Sequence, residues 1–244
     1  MNCSSFKIEA NKSYKDVFGA YVVDGAEFDL ECGYDIPFTN VPDVVELPDY
    51  LISYQKIGES SKKGRTYCHF YQDDYTFDGQ YGIWNSLVFN RKFKKGFNLE
   101  KLSNVDGIIC PDYSNYYDMP RVMQIYNVYR SRAIGYFFNS RGITAIPNVR
   151  WTDETSYIYA FAGLKKNSVV AIGTVGCLRN KIDRKFFLKG LKELILRIEP
   201  STIIIYGTLT KEIIEILEEY QQDFKFFPSE ISLAYKEKNN GNEG

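Results

Sequence analysis

The chain has 244 residues, of which 44% are hydrophobic and 25% are charged, and its formal net charge is −1. This size and composition are typical of one large α/β domain, or of a core domain with a smaller appendage. A net charge so close to zero excludes a global field that attracts nucleic acid or an anionic membrane, although it leaves room for a local basic patch.

The cysteines are odd in number, widely spaced and without a Cys-x-x-Cys pair: Cys3, Cys32, Cys68, Cys110 and Cys177. This spacing argues against a zinc ribbon or a disulfide framework and suits a reducing cytosol. The N-terminus lacks the apolar run of a signal peptide, and no stretch approaches the ~20 apolar residues that span a bilayer. We therefore expect a soluble, cytoplasmic protein with no membrane partner.

Residues 1–65 are predicted to form an irregular N-terminal extension. Pro37, Pro42 and Pro48 fall close together among acidic residues, which prevents a long helix. Residues 51–54 suggest one short strand in this extension, and residues 58–65 form a polar loop.

From residue 66 onward, apolar runs with strand character alternate with helical patterns. The predicted strands cover residues 67–71, 105–110, 143–149, 168–172, 202–206 and 224–227. The predicted helices cover 118–141, 153–159, a segment from 181 to the stop at Pro200, and 211–220.

The helix over 118–141 has the clearest signals. Asp118 is the expected N-cap, Pro120 lies in the first turn, and Gly142 follows the last turn. Its expected apolar stripe is Val122, Tyr126, Tyr129, Ala133 and Phe137.

Strands that alternate with helices predict the α/β class, with a parallel sheet of about six βα units covered on both faces. Periodicity does not separate a doubly wound sheet from an incomplete β/α barrel. The predicted organisation is the extension 1–65, an α/β core over 66–236 and a polar, disordered tail over 237–244.

In both architectures ligands gather at the carboxyl ends of the strands. The residues at these ends therefore form the predicted site: Asp73 and Asp74 after the first strand, Asp112 after the second, Asn148, Arg150, Trp151, Asp153 and Glu154 after the third, and Thr174 after the fourth. Each of them also has a simpler interpretation, because polar residues after a strand commonly cap the next helix or hold a turn.

Carboxylates on neighbouring strands suit Mg²⁺ or Mn²⁺, which template water attack on a phosphoryl centre. Asp73, Asp74 and Asp112 are the predicted metal ligands, with Asn148, Asp153 and Glu154 as further catalytic candidates. Arg130 and Arg150 would meet phosphate charge, although Arg150 is equally suited to an ion pair with Asp153.

Two of the predicted ligand-binding residues, Trp151 and Thr174, need separate comment. Trp151 would line the pocket and offer a flat face to a ring or sugar, or it would form a lid over the sheet end. Thr174 lies in a Gly-x-x-Gly segment that suits an anion at a helix N-terminus, which is a weak signal.

Several familiar templates are absent from the chain. It has no phosphate-binding P-loop motif and no Gly-x-Ser-x-Gly nucleophile turn. His69 is the single histidine, which excludes His-clustered metal sites and most Ser-His-Asp arrangements.

A series of short segments resembles family forty-four seventeen of the domains of unknown function, which occurs in bacteria, phages and mobile elements. The matching segments are residues 69–75, 110–114, 118–120, 127–132, 146–151 and 174–176. The resemblance spans roughly residues 65–230. It implies no activity, but it implies that Asp73, Asp74, Asp112, Arg130, Asn148 and Trp151 belong to one site, and Cys110 stands where the family more often has Ser.

Two function hypotheses follow from the sequence. The first is a metal-dependent enzyme that acts on a nucleotide or nucleic-acid phosphate at the strand-end rim. The second is a non-catalytic phage or mobile-element module that binds a host protein, a phage protein or a small ligand there.

Binding of single-stranded nucleic acid is a separate hypothesis, because arginines and tyrosines interleave on the helix over 118–141. The simpler interpretation is a helix that buries its tyrosines and solvates its arginines.

Overall fold

The computed structural model describes residues 20–59, 64–89 and 97–230, together with residue 232. The predicted disordered tail over 237–244 and the centre of the predicted loop over 58–65 lie outside these residues. The described helices and strands are, in chain order, β1 (Phe28–Asp29), β2 (Ile36–Pro37), β3 (Tyr50–Ser53), β4 (Thr66–His69), α1 (Ile83–Val88), β5 (Gly107–Ile109), α2 (Arg121–Asn139), β6 (Thr144–Ile146), α3 (Tyr157–Ala160), β7 (Val169–Gly173), α4 (Lys181–Ile198), β8 (Thr202–Gly207), α5 (Lys211–Glu219) and β9 (Phe224–Pro228).

Strands β3 to β9 form two parallel sheets, and the prediction of an α/β fold with parallel pairing is confirmed. One sheet has the order β3-β4-β5-β6 and the other has the order β7-β8-β9. The six predicted strands are all present, but they are divided between two sheets. Strand β3 corresponds to the short strand predicted over residues 51–54 of the N-terminal extension, and it pairs with the core strand β4. In the same segment, β1 and β2 form a small antiparallel pair.

The two parallel sheets meet where the chain leaves β6. Asn148 forms a parallel bridge with Ala171 of β7. The Val149 amide donates to the Ala171 carbonyl at 2.8 Å, and the Ala171 amide donates to the Pro147 carbonyl at 2.9 Å. These hydrogen bonds continue the parallel ladder across the junction and place Asn148 at the carboxyl end of β6.

Alternate side chains along the strands point to a shared apolar interior. We call this group the central cluster; it consists of Tyr67, Tyr71, Ile109, Ile146, Val169, Ala171, Ile204 and Tyr206. The residues between them face outward, as Cys68 and Ile108 do toward α2 and as Val170 and Ile203 do toward α4 and α5. Strands buried on both faces explain the nearly continuous Val/Ile runs of the sequence.

Helix α2 begins later than predicted. Its N-cap position is Pro120 and makes no side-chain cap hydrogen bond, and Asp118 is exposed, so the predicted capping role of Asp118 is wrong. The predicted C-terminal signal is confirmed: Gly142 has φ +76°, and the Ile143 amide donates to the Phe138 carbonyl at 3.0 Å.

The predicted apolar stripe of α2 is correct only in the second half of the helix. Ala133 and Phe137 are buried, but Val122 is 72% exposed and Tyr126 is 47% exposed. The first half instead buries Gln124 and Asn127. Its neighbours are loops whose backbone groups need hydrogen bonds, so polar side chains are buried there.

Within the described ranges, no helix is both long enough and apolar enough to cross a bilayer.

Candidate functional site

Four side chains from three strand ends form a hydrogen-bonded chain, which we call the rim network. The Tyr71 hydroxyl donates to Asn148 Oδ1 at 2.9 Å. The Asn148 amide donates to Asp112 Oδ1 at 2.7 Å, and the Arg150 guanidinium donates to Asp112 Oδ2 at 3.2 Å. Both members of the ion pair are largely buried, with 12% of the Asp112 side chain and 15% of the Arg150 side chain exposed.

The burial of the rim network sets its electrostatics. Burial raises the pKa of Asp112, and the Arg150 charge and the Asn148 hydrogen bond offset part of that increase. Burial is the largest influence on the pKa of Arg150 and would lower it, but the charges around it, of which Asp112 is the strongest, together outweigh burial, and the net direction is upward. Burial also raises the pKa of Tyr71 well above its ordinary value, which keeps the phenol protonated as a donor.

The strands bring the network together by close packing around Tyr71. The Tyr71 ring stacks on Tyr206 of β8, with centroids 4.7 Å apart and planes 5° apart. At the end of β7, a Cβ on Gly173 would lie 2.7 Å from the Tyr71 ring and 3.5 Å from Asp112 Oδ2. Glycine is therefore needed at this position to let the network form.

Arg132 of α2 binds the backbone of the segments next to the rim network. It is 1% exposed and donates to the carbonyl oxygens of Asn148 at 2.8 Å, Ala160 at 2.8 Å and Ala162 at 3.0 Å. Burial lowers its pKa to about 10, so the guanidinium remains charged at neutral pH. Arg132 thus holds the backbone of Asn148 while the Asn148 side chain serves the rim network.

A cavity opens beside the rim network at the carboxyl ends of β5, β6 and β7. We call it the rim pocket, and Arg150 is the residue that it shares with the network. The residues that line it are Asn115, Tyr116, Tyr117, Arg150, Trp151, Thr152, Gly176, Cys177, Asp183, Phe186 and Phe187. Its position agrees with the expectation that ligands of parallel α/β folds gather at this end of the strands.

Comparison with known proteins places the chain in a family. The family described as "Domain of unknown function (DUF4417)" matches residues 28–225. The chain belongs to this family. It is also similar to the "Gene 1 protein" of Mycobacterium phage L5, with 32% identity over 184 residues, 75% of each chain. The "Gene 1 protein" of Mycobacterium phage D29 is 33% identical over 141 residues, 58% of this chain and 48% of that protein. No solved structure matches.

Of the site residues predicted from the sequence, the DUF4417 fold brings Asp112, Asn148 and Arg150 into direct contact. Asp74 lies beside them: it accepts hydrogen bonds from the Ser114 amide at 3.1 Å and the Ser114 hydroxyl at 2.9 Å. Its charge acts on Asp112 and adds to the rise in the Asp112 pKa. Asp73 is exposed and stands at the N-cap of a short 3-10 helix.

Asp153 and Glu154 make contacts outside the rim network. Asp153 Oδ1 accepts a hydrogen bond from the Thr155 amide at 3.0 Å, so of the two residues that the sequence offers as caps of this helix, Thr152 and Asp153, the cap is Asp153. Glu154 is exposed and pairs with Lys189 of α4. Arg150 binds Asp112, so the alternative pairing of Arg150 with Asp153 is wrong.

The geometry gives no support to the predicted Mg²⁺ or Mn²⁺ ligand set. Among the described residues, no three His, Cys, Asp or Glu side chains are arranged to hold a metal ion. Asp73, Asp74 and Asp112 as metal ligands therefore stay a prediction from the sequence.

Thr174 and Arg130 both make polar contacts with neighbouring segments of the protein, although Arg130 Nε is buried without a hydrogen-bond partner. The Thr174 hydroxyl donates to the Thr208 carbonyl at 3.0 Å and accepts from the Thr208 amide at 2.7 Å. Arg130 donates to Asp78 at 2.5 Å and lies 3.9 Å from the centre of the Tyr113 ring. Both residues join neighbouring segments, and their predicted role in binding a ligand stays a prediction.

Trp151 lines the rim pocket and is 7% exposed. One face stacks on Phe187 of α4, with centroids 5.2 Å apart, and the indole nitrogen donates to the Phe186 carbonyl at 3.3 Å. The residue therefore lines the pocket and also anchors α4, and its predicted role in offering a flat face to a ring or sugar stays a prediction.

The arginines of the segment 118–141 each contact another group of the protein, although Arg121 and Arg141 are exposed. Arg121 donates to the Thr155 carbonyl at 3.3 Å, and Arg141 lies 3.7 Å from the centre of the Phe137 ring. Arg130 and Arg132 make the contacts described above. The sequence-based hypothesis of single-stranded nucleic-acid binding by this helix gains no support from these contacts.

Sequence reasoning missed Tyr71, Arg132, Cys177, Asp183 and Phe186. Tyr71 had a usable signal, because it follows Tyr67 and His69 at the two-residue period of a strand and so points inward. The other four become visible only when distant segments meet at the rim.

Proposed function

We propose that this DUF4417 protein is a binding module whose rim pocket takes a small ligand with a flat ring. The observation that carries the proposal is the position of Arg150. A buried Asp112 carboxylate fixes its guanidinium at the wall of a pocket whose other sides are mainly aromatic. Aromatic walls with a few fixed polar groups are typical of small-molecule sites.

The pre-organisation of the pocket supports this proposal. Arg150 is held through Asp112, Asn148 and Tyr71, and Asn148 is held in turn by Arg132. A donor that is already fixed loses little entropy when a ligand binds, so its hydrogen bonds contribute more to affinity.

The nucleophiles and bases near the rim favour binding over catalysis. His69 is 1% exposed, and burial lowers its pKa to about 4. Burial raises the pKa of Cys177, which disfavours the thiolate that covalent catalysis needs. The sequence-based alternative of a metal-dependent enzyme gains no support, because no group of metal-binding side chains is found among the described residues.

We also infer that the seven strands β3 to β9 form an incomplete β/α barrel. Lys56 pairs with Glu230 at 2.6 Å, and Lys225 lies 3.7 Å from Asp49. These contacts join the two outer strands, β3 and β9, which would lie far apart in an open sheet of this strand order. The rim pocket would then lie at the mouth of the barrel, where ligands of such folds bind.

The test is a titration of the full chain with nucleosides, nucleoside monophosphates, aromatic amino acids and flavin, followed by calorimetry and thermal shift. We expect at least one compound to bind and Arg150→Gln to weaken it at least ~10-fold, because the fixed donor is lost. The matched control is Arg197→Gln, which removes an exposed arginine paired with Glu193 on α4. Phe186→Ala tests the pocket wall without leaving Asp112 unpaired. Binding that is equal in all these variants would place the ligand elsewhere and overturn the proposal.

A further inference from the structure

The rim pocket presents one cationic and one anionic side chain, and their arrangement restricts the charge of the ligand. The Arg150 charge is already balanced by Asp112 at 3.2 Å. The second charged lining residue is Asp183, in the first turn of α4. Asp183 Oδ2 accepts from the Asn180 side chain at 2.6 Å, which orients the carboxylate and leaves Oδ1 as an acceptor for a ligand.

This balance disfavours a phosphate in the rim pocket. A phosphate monoester carries about two negative charges, and sites that select it supply net positive charge. Here the approaching anion meets one arginine that is already neutralised and one carboxylate that repels it. A ligand with no net charge avoids that repulsion and still uses the donor on Arg150 and the acceptor on Asp183.

The walls of the pocket add a preference for a flat π-system. Tyr116 is 55% exposed and Tyr117 is 51% exposed, and both line the pocket. The Tyr117 ring lies against Phe186, with centroids 6.0 Å apart, so the wall contains a pair of rings supported by α4. Stacking of a nucleobase on an aromatic side chain stabilises a complex and tolerates any base, because every base has a π-face.

We propose that the ligand of the rim pocket is an uncharged nucleobase or nucleoside. Its ring stacks on the wall formed by Tyr117 and Phe186, and its polar edge lies between Arg150 and Asp183. A nucleobase edge carries both donors and acceptors, which matches a pocket lined by one guanidinium donor and one carboxylate acceptor. This inference rests on the proposed binding function and specifies the class of ligand.

The experiment is calorimetric titration of the full chain with the four ribonucleosides, their monophosphates and inorganic phosphate. We expect at least one nucleoside to bind, its monophosphate to bind at least ~3-fold more weakly, and inorganic phosphate not to bind. Between ~50 and ~200 mM salt the nucleoside affinity should change less than ~2-fold, because no net charge is neutralised on binding.

The diagnostic variant is Asp183→Asn, which keeps the size of the side chain and removes its charge. We expect Asp183→Asn to lower the affinity for the nucleoside at least ~5-fold. The difference in affinity between the nucleoside and its monophosphate should become smaller, because the carboxylate that repels phosphate is gone. The control is Glu212→Gln, since Glu212 is the acidic residue in the first turn of α5 and lies outside the rim pocket. This control should leave both affinities unchanged.

The outcomes separate this inference from the proposed function. Monophosphates that bind more tightly than nucleosides, with an affinity that falls steeply with salt, would overturn the inference and leave a binding module. A nucleoside that binds equally to wild type, Asp183→Asn and Phe186→Ala would overturn it as well. If nothing in the wider ligand panel gives binding sensitive to Arg150→Gln, the proposed function itself fails.

Discussion

At the scale of single residues, His69 shows how burial decides the protonation state. Its Nδ1 accepts a hydrogen bond from the Tyr71 amide at 3.2 Å, so that nitrogen must be unprotonated. Its ring centre lies 4.4 Å from that of Tyr206. Burial lowers the pKa from 6.5 to about 4; the nearby charge of Glu230 opposes this shift, and that of Lys56 adds to it. The histidine is therefore a neutral core residue at physiological pH.

We expect His69 to make stability depend on pH. Its folded pKa lies below its unfolded value, so protonation favours the unfolded chain; its contribution is present above about pH 6.5 and lost as the pH falls toward about 4. The free energy of unfolding should fall by roughly 2–3 kcal/mol over this pH range because of His69. Urea unfolding at several pH values measures it. His69→Asn keeps an acceptor for Tyr71 and does not titrate, so its stability should fall less over the same window. Equal slopes for the two proteins would contradict this prediction.

At the scale of elements, α2 is attached to the site by polar contacts as well as by apolar packing. Arg132 donates to three carbonyl oxygens, on the segment after β6 and around α3. Buried carbonyls without a donor cost free energy, so this one side chain determines how the helix and the rim fit together.

Arg132→Lys should destabilise the protein by about 2–4 kcal/mol, because one ammonium group cannot satisfy all three separated carbonyls. The free energy of unfolding in urea measures the effect. Arg121→Lys is the control on the same helix; it affects one exposed contact and should cost less than about 0.5 kcal/mol. A similar cost for both substitutions would show that the three carbonyl contacts contribute little.

Helix α4 can pack against Trp151 only because residue 190 is a glycine. A Cβ at this position would lie 2.0 Å from Trp151 Nε1 and 2.3 Å from its Cδ1. The helix therefore approaches Trp151 more closely than any other residue type would allow. Its sequence gives no sign of this, since a mid-helix glycine normally only weakens a helix.

Gly190→Ala should destabilise the protein by about 2 kcal/mol, although helix propensity alone predicts a gain of about 1 kcal/mol. A double-mutant cycle with Trp151→Leu, analysed by thermal and urea unfolding, checks the cause. When the indole is removed by Trp151→Leu, Gly190→Ala should stabilise the protein, as helix propensity predicts. A stabilising Gly190→Ala in the wild-type background would contradict the contact.

At the scale of the whole molecule, the described part of the segment before residue 66 belongs to the folded core. Strand β3 pairs along the whole of β4, from Tyr50 opposite Thr66 to Ser53 opposite His69. Val22, Val23 and Phe28 are buried against α1 and α2. The division at residue 65, predicted from composition, separates pieces that pack together.

A chain that begins at residue 66 should therefore fail to unfold cooperatively and should aggregate. It would expose the edge of β4, whose four residues are all buried in the intact protein. Near-UV circular dichroism and size-exclusion chromatography measure this, with a chain that begins at residue 20 as the comparison because it keeps every described element. A monomeric fragment 66–236 with a sharp transition would instead support an independent core domain.

The sequence by itself determined the α/β class, the order of the six predicted strands and the rim that carries Asp112, Asn148 and Arg150. These features are local: an apolar run, its length and the polar residues that end it can be read along the chain. The tertiary structure decided the rest, because contacts such as Tyr71 with Asn148 and Gly190 with Trp151 join residues that are far apart in the chain. Periodicity shows which face of an element is buried but not which polar group meets it there, so the internal role of Arg132 and the placement of Asp183 in the same pocket as Arg150 required the folded molecule.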